Sequence, residues 1–241
     1  MGSFRFFVDV EQFECGAEVV LRGDEAYHAR RVMRVKVGER VSLINGKGWV
    51  AQARVESVEK SSVRLQVLTG DRVLQPQEQL WLVMANLRPN HLDFAIEKGV
   101  EVGVDHFVLF AAEGSEIKKI SEAKIRRIRA LIKAAVKQCG RVFSPSLEIV
   151  RGLKEVVEIV PGPILWADPT RDAQPLSKRL SCSSKESVSL CIGPEKGWSD
   201  HERALLSQSG EPVILHENIL RAETAAVVGA YEIASWFSRE G

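Results

Sequence analysis

Short segments in the N-terminal third of the chain alternate apolar and polar residues with the two-residue period of a half-buried strand. These segments are Arg40–Ile44, Trp49–Val58 and Ser62–Leu68. The glycine-containing stretch Asn45–Gly48 joins the first two and favours a tight hairpin, and Glu59–Ser61 marks a second turn. We expect a small β-barrel or β-sandwich that ends near Val73, followed by a polar linker at Gln75–Gln79.

From Leu80 onward the pattern changes, because short apolar runs alternate with segments of helical periodicity. The apolar runs are Leu80–Ala85, His106–Phe110, Ile164–Ala167, Ser187–Ile192 and Pro212–Leu215. The helical segments are Asn90–Val102, Glu122–Cys139, Asp200–Gln208 and Glu223–Phe237. This alternation predicts an α/β domain with a mainly parallel sheet. The chain is therefore expected to divide into domains 1–73 and 74–241.

Composition narrows the class of protein without identifying it. The 241 residues include 33 basic and 32 acidic side chains, and 45% are hydrophobic. These values exclude a disordered or uniformly basic protein and allow a sizeable core. No secretion signal or membrane-spanning run is visible, so we expect a cytoplasmic protein. Four widely spaced cysteines, namely Cys15, Cys139, Cys182 and Cys191, indicate reduced thiols and no structural metal.

A loop rich in glycine, Ile192–Trp198, follows one of the predicted strands. Ser199 and Glu202 have the spacing of a capping box for the next helix. Ligands of open α/β sheets bind at such strand-to-helix junctions. The loop lacks the glycine and lysine fingerprints of phosphate-binding loops, so a ligand-binding loop and a plain structural turn both stay open.

A second loop, within Leu215–Ala226, also joins a predicted strand to a helix. Arg221 lies at its end, and Glu223 follows in the first helical turn, where a carboxylate suits the helix dipole. The two side chains form either a local ion pair or part of a site. Two such loops on neighbouring strands favour a cleft.

Two segments carry clusters of basic residues. The predicted helix Glu122–Cys139 presents a stripe of Arg126, Arg129, Lys133 and Lys137 opposite its apolar face. Because like charges repel unless an anion compensates them, this stripe favours phosphate-backbone binding over a plain solvated face. The N-terminal cluster Arg30–Lys36 is either an RNA-facing surface or a set of solvated arginines. Small residues at Ala222–Ala230 allow close helix packing, inside the chain or between subunits.

Several motifs, in their order and spacing, resemble one family over almost the whole chain. They are IGPEKGW, LHENILRAETA, EKGVEVGV (Glu97–Val104), AVKQCGR (Ala135–Arg141) and HARRVMRVKVGE (His28–Glu39). The similarity is to the bacterial 16S ribosomal RNA uracil methyltransferases, often called RsmE, within the SPOUT superfamily of S-adenosylmethionine-dependent enzymes.

The resemblance implies an N-terminal PUA-like, RNA-binding β-barrel followed by a SPOUT α/β domain. The C-terminal segment would form a trefoil knot, which is a rare exception to ordinary chain topology. The implied activity is N3-methylation of a uridine in 16S ribosomal RNA, with S-adenosyl-L-methionine as cofactor and no metal. The implied partners are ribosomal RNA within the small subunit and a second copy of the chain, with no DNA and no membrane.

The resemblance also assigns residues. Those expected to bind the cofactor are Leu165, Ala167, Gly193, Pro194, Glu195, Gly197, Leu215, Asn218, Ile219 and Leu220. The basic regions offer the RNA-binding candidates Arg5, His28, Arg31, Arg34, Arg126, Arg129, Lys133 and Arg141. The chain departs from the family pattern at several positions: Lys196 and His216 replace glycines, Asn218 replaces an arginine, and Asn90 and His91 replace an acidic-basic pair.

The implied chemistry suggests roles for two residues. Uracil N3 becomes nucleophilic after losing its proton, and negative charge then develops on the neighbouring carbonyl oxygens. Arg221 is the first candidate to stabilise that charge, with pairing to Glu223 as its structural alternative. Glu223 is the second catalytic candidate, and the general base stays open among Glu195, Glu223, His216 and solvent. The rival interpretations are a non-catalytic RNA-binding module, a nucleotide-binding α/β enzyme and a divergent SPOUT member with another RNA target.

Overall fold

A computed structural model describes residues 4–170, 173–181 and 187–239 of the chain. Its residues group into two compact units. One unit comprises Met1–Gln75 and Val136–Ser144, and the other comprises Pro76–Ala135 and Pro145–Gly241. The domain boundary expected after Val73 stays a prediction.

The first unit is built on a five-stranded sheet. Its strands are β1 (Arg5–Phe7), β2 (Glu18–Arg22), β3 (Arg40–Ile44), β4 (Trp49–Val58) and β5 (Ser62–Arg72). Their order is β1-β3-β4-β5-β2, with β1 parallel to β3 and the other neighbours antiparallel. A short helix, α1 (Gly23–Tyr27), leads into a π-helical segment at His28–Val32. The strands β3 and β4 have the predicted bounds, and β5 extends further than predicted.

The predicted hairpin between β3 and β4 is held by one asparagine. The side-chain oxygen of Asn45 accepts hydrogen bonds from the backbone N–H groups of Lys47 (2.8 Å) and Trp49 (3.0 Å). Gly46 and Gly48 have φ values of 73° and 96°, which favour glycine. Alternate residues of β4 then enter the apolar core, as the period-two pattern predicted.

The second unit contains a seven-stranded sheet in which every pair of neighbours is parallel. Its strands are β6 (Leu80–Ala85), β7 (His106–Phe110), β8 (Ser146–Val150), β9 (Ile164–Ala167), β10 (Gln174–Pro175), β11 (Val188–Ile192) and β12 (Gly210–Ile214). The order is β10-β12-β9-β11-β6-β7-β8. The predicted α/β class with a parallel sheet is confirmed. Strands β8 and β10 were not predicted, because both are short edge strands without a fully buried side chain or a continuous apolar run.

Six helices of the described chain accompany this sheet. They are α2 (Pro89–Val102), α3 (Glu122–Cys139), α4 (Leu153–Ile159), α5 (Leu176–Ser181), α6 (Asp200–Ser209) and α7 (Ala222–Arg239). The last residues of α3 group with the first unit. The predicted helices are present, whereas α4 and α5 are too short to show a clear helical period.

Helices pack on both faces of the parallel sheet. On one face, Leu153 of α4 and Leu206 of α6 join side chains of β6, β7 and β9 in a buried cluster. On the other face, α7 packs against β6 and β11. A Cβ at Gly229 would lie 2.5 Å from a methyl group of Leu190. The small residues of α7 therefore face the sheet inside the chain, which answers the question that the sequence left open.

In the described part of the chain, no helix is long and apolar enough to cross a membrane. Cys15, Cys139 and Cys191 are not in disulfides, and Cys182 lies outside the described residues. The same part of the chain contains no cluster of three or more His, Cys, Asp or Glu side chains that could hold a metal ion. The expected cytoplasmic location stays a prediction.

Candidate functional site

Three loops at the carboxyl ends of β9, β11 and β12 enclose a cavity of about 780 Å³. These strands are neighbours in the sheet, so the loops that follow them converge at one edge. That edge is where ligands bind in open parallel sheets. The volume lies in the range of about 300–1,000 Å³ that is usual for small-molecule sites.

The loop after β11 is a tight turn. The N–H of Gly197 donates to the carbonyl oxygen of Pro194 at 2.8 Å, and Gly197 has a φ of 75°. A Cβ at Gly193 would lie 3.0 Å from the indole of Trp198. Glycine at these two positions is therefore required by the turn and by the close approach of the indole.

Trp198 fixes the end of this loop. Its indole Nε1–H donates to the carbonyl oxygen of Ala167 at 3.0 Å, and its ring stacks on Phe110 with centroids 6.1 Å apart. The next residue, Ser199, forms the predicted capping box with Glu202, so that prediction is confirmed. The other carboxylate oxygen of Glu202 accepts the backbone N–H of Glu113 at 2.9 Å. The loop and the helix start that follows it are thus tied to the ends of two other strands, β9 and β7.

The loop after β12 contributes a more exposed wall. The N–H of Asn218 donates to Nδ1 of His216 at 3.0 Å, which shapes the turn. Ile219 is 91% exposed although it lines the cavity. An apolar side chain presented so openly at a cavity mouth is available to cover a ligand.

A buried carboxylate lies at the end of β9. Asp168 is 7% exposed and accepts a hydrogen bond from Nε of Arg203 at 2.7 Å. This bond raises the pKa of the Arg203 guanidinium further above its ordinary value. Both residues line the cavity, so one wall carries a fixed ion pair.

Glu223 approaches a histidine. Its Oε2 lies 3.4 Å from Nδ1 of His91, at the start of α2, and both residues line the cavity. Arg221 also lines the cavity, is exposed, and has no carboxylate partner within the described residues. The structural alternative for Arg221, an ion pair with Glu223, is therefore not what the structure contains.

Arg88 forms the last part of the wall. Its guanidinium donates to both carboxylate oxygens of Glu116, at 3.1 and 3.0 Å, and this contact lowers the pKa of Glu116. The backbone N–H of Arg88 donates to Oε1 of Glu195 at 3.3 Å. Glu195 is thereby engaged with the start of α2.

The cavity brings together most of the residues that the sequence analysis assigned to a cofactor. Ala167, Gly193, Pro194, Glu195, Gly197, Leu215, Asn218, Ile219 and Leu220 line it, as do Arg221 and Glu223. Leu165 is buried in β9 and does not line it. Arg88, His91, Asp168 and Arg203 also line the cavity and were not among the residues assigned to the cofactor. Asp168 could have been found, because it directly follows a predicted strand.

The predicted RNA-binding residues of the first unit lie on different elements. Arg5 is in β1 and borders a small cavity of about 140 Å³, together with Asp71 and Gly140. His28 packs edge-on against Phe6, with ring centroids 6.3 Å apart. Arg31 is exposed on the π-helical segment, Arg34 is exposed just beyond it, and Arg141 is half-buried after α3.

The positive charge of the basic stripe on α3 is only partly neutralised by nearby carboxylates. Asp93 binds both Lys124 and Arg127, and Glu25 binds Lys137 at 2.9 Å. Lys133 is exposed on the same helix. The side chains of Arg126 and Arg129 are exposed and have no carboxylate partner within the described residues. Within the described residues, the predicted repulsion is therefore not relieved at these two arginines.

Comparison with known proteins agrees with this geometry. The model of an RNA methyltransferase domain family matches residues 74–233, and that of an RNA methyltransferase PUA domain matches residues 21–68. A "Ribosomal RNA small subunit methyltransferase E" of Mycobacterium tuberculosis is 28% identical over 99% of this chain and 94% of its own length.

Two solved structures resemble the whole chain. A Legionella pneumophila methyltransferase with bound S-adenosylmethionine has a TM-score of 0.85 and 25% identity, covering 98% of each chain. A ribosomal RNA small subunit methyltransferase E of Neisseria gonorrhoeae, also bound to S-adenosylmethionine, has a TM-score of 0.86 and 24% identity, covering 97% of this chain and 98% of that one. The resemblance inferred from the motifs is thus confirmed, with a PUA-like domain preceding a methyltransferase domain. Because the family model covers more than half of its residues, the chain belongs to the RNA methyltransferase family.

Proposed function

We propose that this chain is an S-adenosylmethionine-dependent methyltransferase that modifies N3 of a uridine in 16S ribosomal RNA of the small subunit. The observation that carries the proposal is the single cavity formed by the loops after β9, β11 and β12 in a member of the RNA methyltransferase family. The relatives are named ribosomal RNA small subunit methyltransferases, which points to ribosomal RNA as the substrate. The motif resemblance points to N3 of a uridine as the methylated atom.

The cavity suits the chemistry of this cofactor. S-adenosylmethionine offers an adenosine, a sulfonium cation and an amino acid, and it has no phosphate. The buried carboxylate of Asp168 complements a cation, and the guanidinium of its partner Arg203 complements a carboxylate. Leu215 and Leu220 offer apolar contacts to the adenine. When bound, the cofactor supplies an activated methyl group on sulfur.

The protein's contribution is mainly positioning and charge stabilisation. Arg221 lines the cavity without a carboxylate partner in the described chain, so its charge is available to a carbonyl oxygen of a deprotonated uracil. A cation so placed acts as an oxyanion-type donor, whose removal costs about 10²–10³ in kcat. Arg221→Ala is therefore expected to slow turnover while leaving folding and cofactor affinity intact. Full turnover of this variant would remove Arg221 from catalysis.

Two structural features of the proposal come from the resemblance. A homodimer is supported by exposed apolar residues on two adjacent helices, Phe94 of α2 and Val228 and Tyr231 of α7. The trefoil knot is proposed on the resemblance alone, for the C-terminal segment whose loops line the cavity. Light scattering coupled to gel filtration tests the dimer, and an experimental chain trace tests the knot.

The test of the activity is a comparison of ribosomal RNA from cells with and without the gene. Mass spectrometry should find one N3-methyluridine in 16S ribosomal RNA that is lost on deletion and restored by the wild-type gene. Calorimetric titration of the purified chain with S-adenosylmethionine should show binding. Absence of binding would support a non-catalytic RNA-binding module, and loss of a different modified nucleotide would support a member of the superfamily with another RNA target.

A further inference from the structure

A histidine and a carboxylate from two different helices meet at the edge of the cavity. His91 is in the first turn of α2 and Glu223 is in the first turn of α7, and these helices pack against each other. Nδ1 of His91 lies 3.4 Å from Oε2 of Glu223. The packing of the two helices, and not local sequence, brings the side chains together.

The two facing atoms are shielded from solvent. Nδ1 of His91 and Oε2 of Glu223 are both buried, and neither forms a hydrogen bond with good geometry within the described residues. A buried polar atom without a partner is costly, so a proton shared between them is strongly favoured. Hydrogen bonds of this kind are often long in free enzymes and shorten when substrate binds.

The rest of the imidazole faces outward. The His91 side chain is 34% exposed and lines the cavity, so its exposed surface lies away from the buried Nδ1. A carboxylate that accepts the Nδ1 proton leaves Nε2 unprotonated and able to accept a proton. The geometry therefore presents a basic nitrogen to the site.

We propose that His91 is the general base of the methyl transfer and that Glu223 is the positioning residue that fixes its tautomer. This inference rests on the proposed function, because it requires an acidic N–H on the substrate. Nε2 of His91 takes the N3 proton of uracil. The N3 electron pair forms a bond to the methyl carbon of the donor, the carbon–sulfur bond breaks, and its electron pair stays on sulfur, which becomes a neutral thioether. The imidazolium is stabilised by the Glu223 carboxylate, and its proton passes to solvent after transfer.

The other acidic and histidine side chains that line the cavity, Glu223 aside, are engaged elsewhere. Glu195 accepts the backbone N–H of Arg88, and Asp168 accepts Nε of Arg203. Nδ1 of His216 accepts the backbone N–H of Asn218 in an exposed turn. His91 is distinguished from them by having a buried carboxylate behind it and the cavity in front.

The decisive experiment compares two substitutions that distinguish a role of His91 as a base from a role as a positive charge. His91→Asn keeps a donor facing Glu223 but cannot accept the proton, and His91→Arg keeps a positive charge but cannot deprotonate. Both should lower kcat by about 10²–10⁴-fold, with unchanged calorimetric affinity for S-adenosylmethionine. The matched control is His201→Asn, which removes an exposed imidazole paired with Glu113 at 2.8 Å outside the cavity and should leave kcat unchanged. Full turnover of His91→Arg would show that only charge is needed and would overturn the proposal, as would full turnover of His91→Asn.

A second measurement does not depend on activity. Nitrogen-15 spectra of histidine side chains, recorded with S-adenosylhomocysteine bound, report the protonation of each ring nitrogen. The His91 signals, assigned by their absence in His91→Asn, should show a protonated Nδ1 and an unprotonated Nε2 in the wild type. Glu223→Gln should disturb this tautomer and lower kcat without changing cofactor affinity. A His91 ring protonated on Nε2 in the wild type would overturn the proposal even if Glu223→Gln failed to fold.

The two proposals fail in different ways. If the wild-type protein methylates RNA at a site other than uridine N3, the proposed target is wrong, and the spectra still decide the state of His91. If the wild-type protein produces N3-methyluridine and His91→Asn does so equally fast, the target stands and the proposed base is wrong.

Discussion

The indole of Trp198 donates a hydrogen bond to the backbone carbonyl oxygen of Ala167, at 3.0 Å. One residue ends the glycine loop after β11 and the other is the last residue of β9, so this bond joins two walls of the cavity. Trp198 is 5% exposed and stacks on Phe110, which fixes the direction of the donor. The shape of the site therefore depends on one tryptophan.

Trp198→Phe tests this dependence. Phenylalanine retains the apolar stacking and loses the donor, which leaves the Ala167 carbonyl oxygen without its partner. We expect the free energy of unfolding to fall by about 1–3 kcal/mol. The affinity for S-adenosylmethionine should fall by about tenfold, because 1.4 kcal/mol corresponds to one decade. Trp81→Phe is the control, since Trp81 stacks on His106 and does not line the cavity. Unchanged cofactor affinity in Trp198→Phe would contradict the prediction.

The unpaired arginines of α3 predict a salt-dependent interaction with RNA. Arg126→Ala and Arg129→Ala should each weaken RNA binding at low salt and reduce the slope of log affinity against log salt by about one. Fluorescence anisotropy with an RNA fragment at several salt concentrations measures both quantities. Arg54→Ala is the control, because Arg54 is paired with Glu56 at 2.8 Å and is already neutralised. Affinity that does not change with salt would argue against this helix as the binding surface.

The backbone conformation of Arg34 predicts that one substitution will raise stability and weaken RNA binding. Arg34 has a φ of 54° and is the one non-glycine residue with a positive φ in the described part of the chain. A positive φ strains the backbone of a residue that has a side chain. Arg34→Gly should raise the free energy of unfolding by about 1 kcal/mol while weakening RNA binding. Arg31→Gly removes the same charge from the neighbouring π-helical segment and should lower stability by about 1 kcal/mol. Chemical denaturation distinguishes the two, and equal effects on stability would refute the argument from strain.

The buried thiol of Cys191 predicts a pH effect of definite sign. Burial raises the pKa of Cys191 from its ordinary value of 9.0 to about 12. The folded chain therefore keeps this proton at pH values where the unfolded chain loses it. The thiol's contribution to stability is constant below the unfolded pKa and declines as the pH rises through the interval between the two values. Native alkylation followed by peptide mapping should label exposed Cys15 and leave Cys191 unlabelled. Equal labelling of both would contradict the prediction.

Periodicity determined most of the regular structure. Runs such as Leu80–Ala85 are buried on both faces, so an unbroken apolar sequence was enough to identify a central parallel strand. The capping box at Ser199 marked the start of α6 to the residue. Strand β8 escaped prediction because none of its side chains is fully buried and no continuous apolar run marks it.

The sequence by itself also determined which loops carry the site, since a loop rich in glycine after a buried strand is a local signal. It did not determine that His91 faces Glu223, because 132 positions separate them in the chain (223 minus 91) and only the packing of α2 on α7 joins them. Nor could it decide whether Arg221 pairs with Glu223, although the two are nearly adjacent. Residues two positions apart at the start of a helix point in different directions, and tertiary packing decides what each side chain meets.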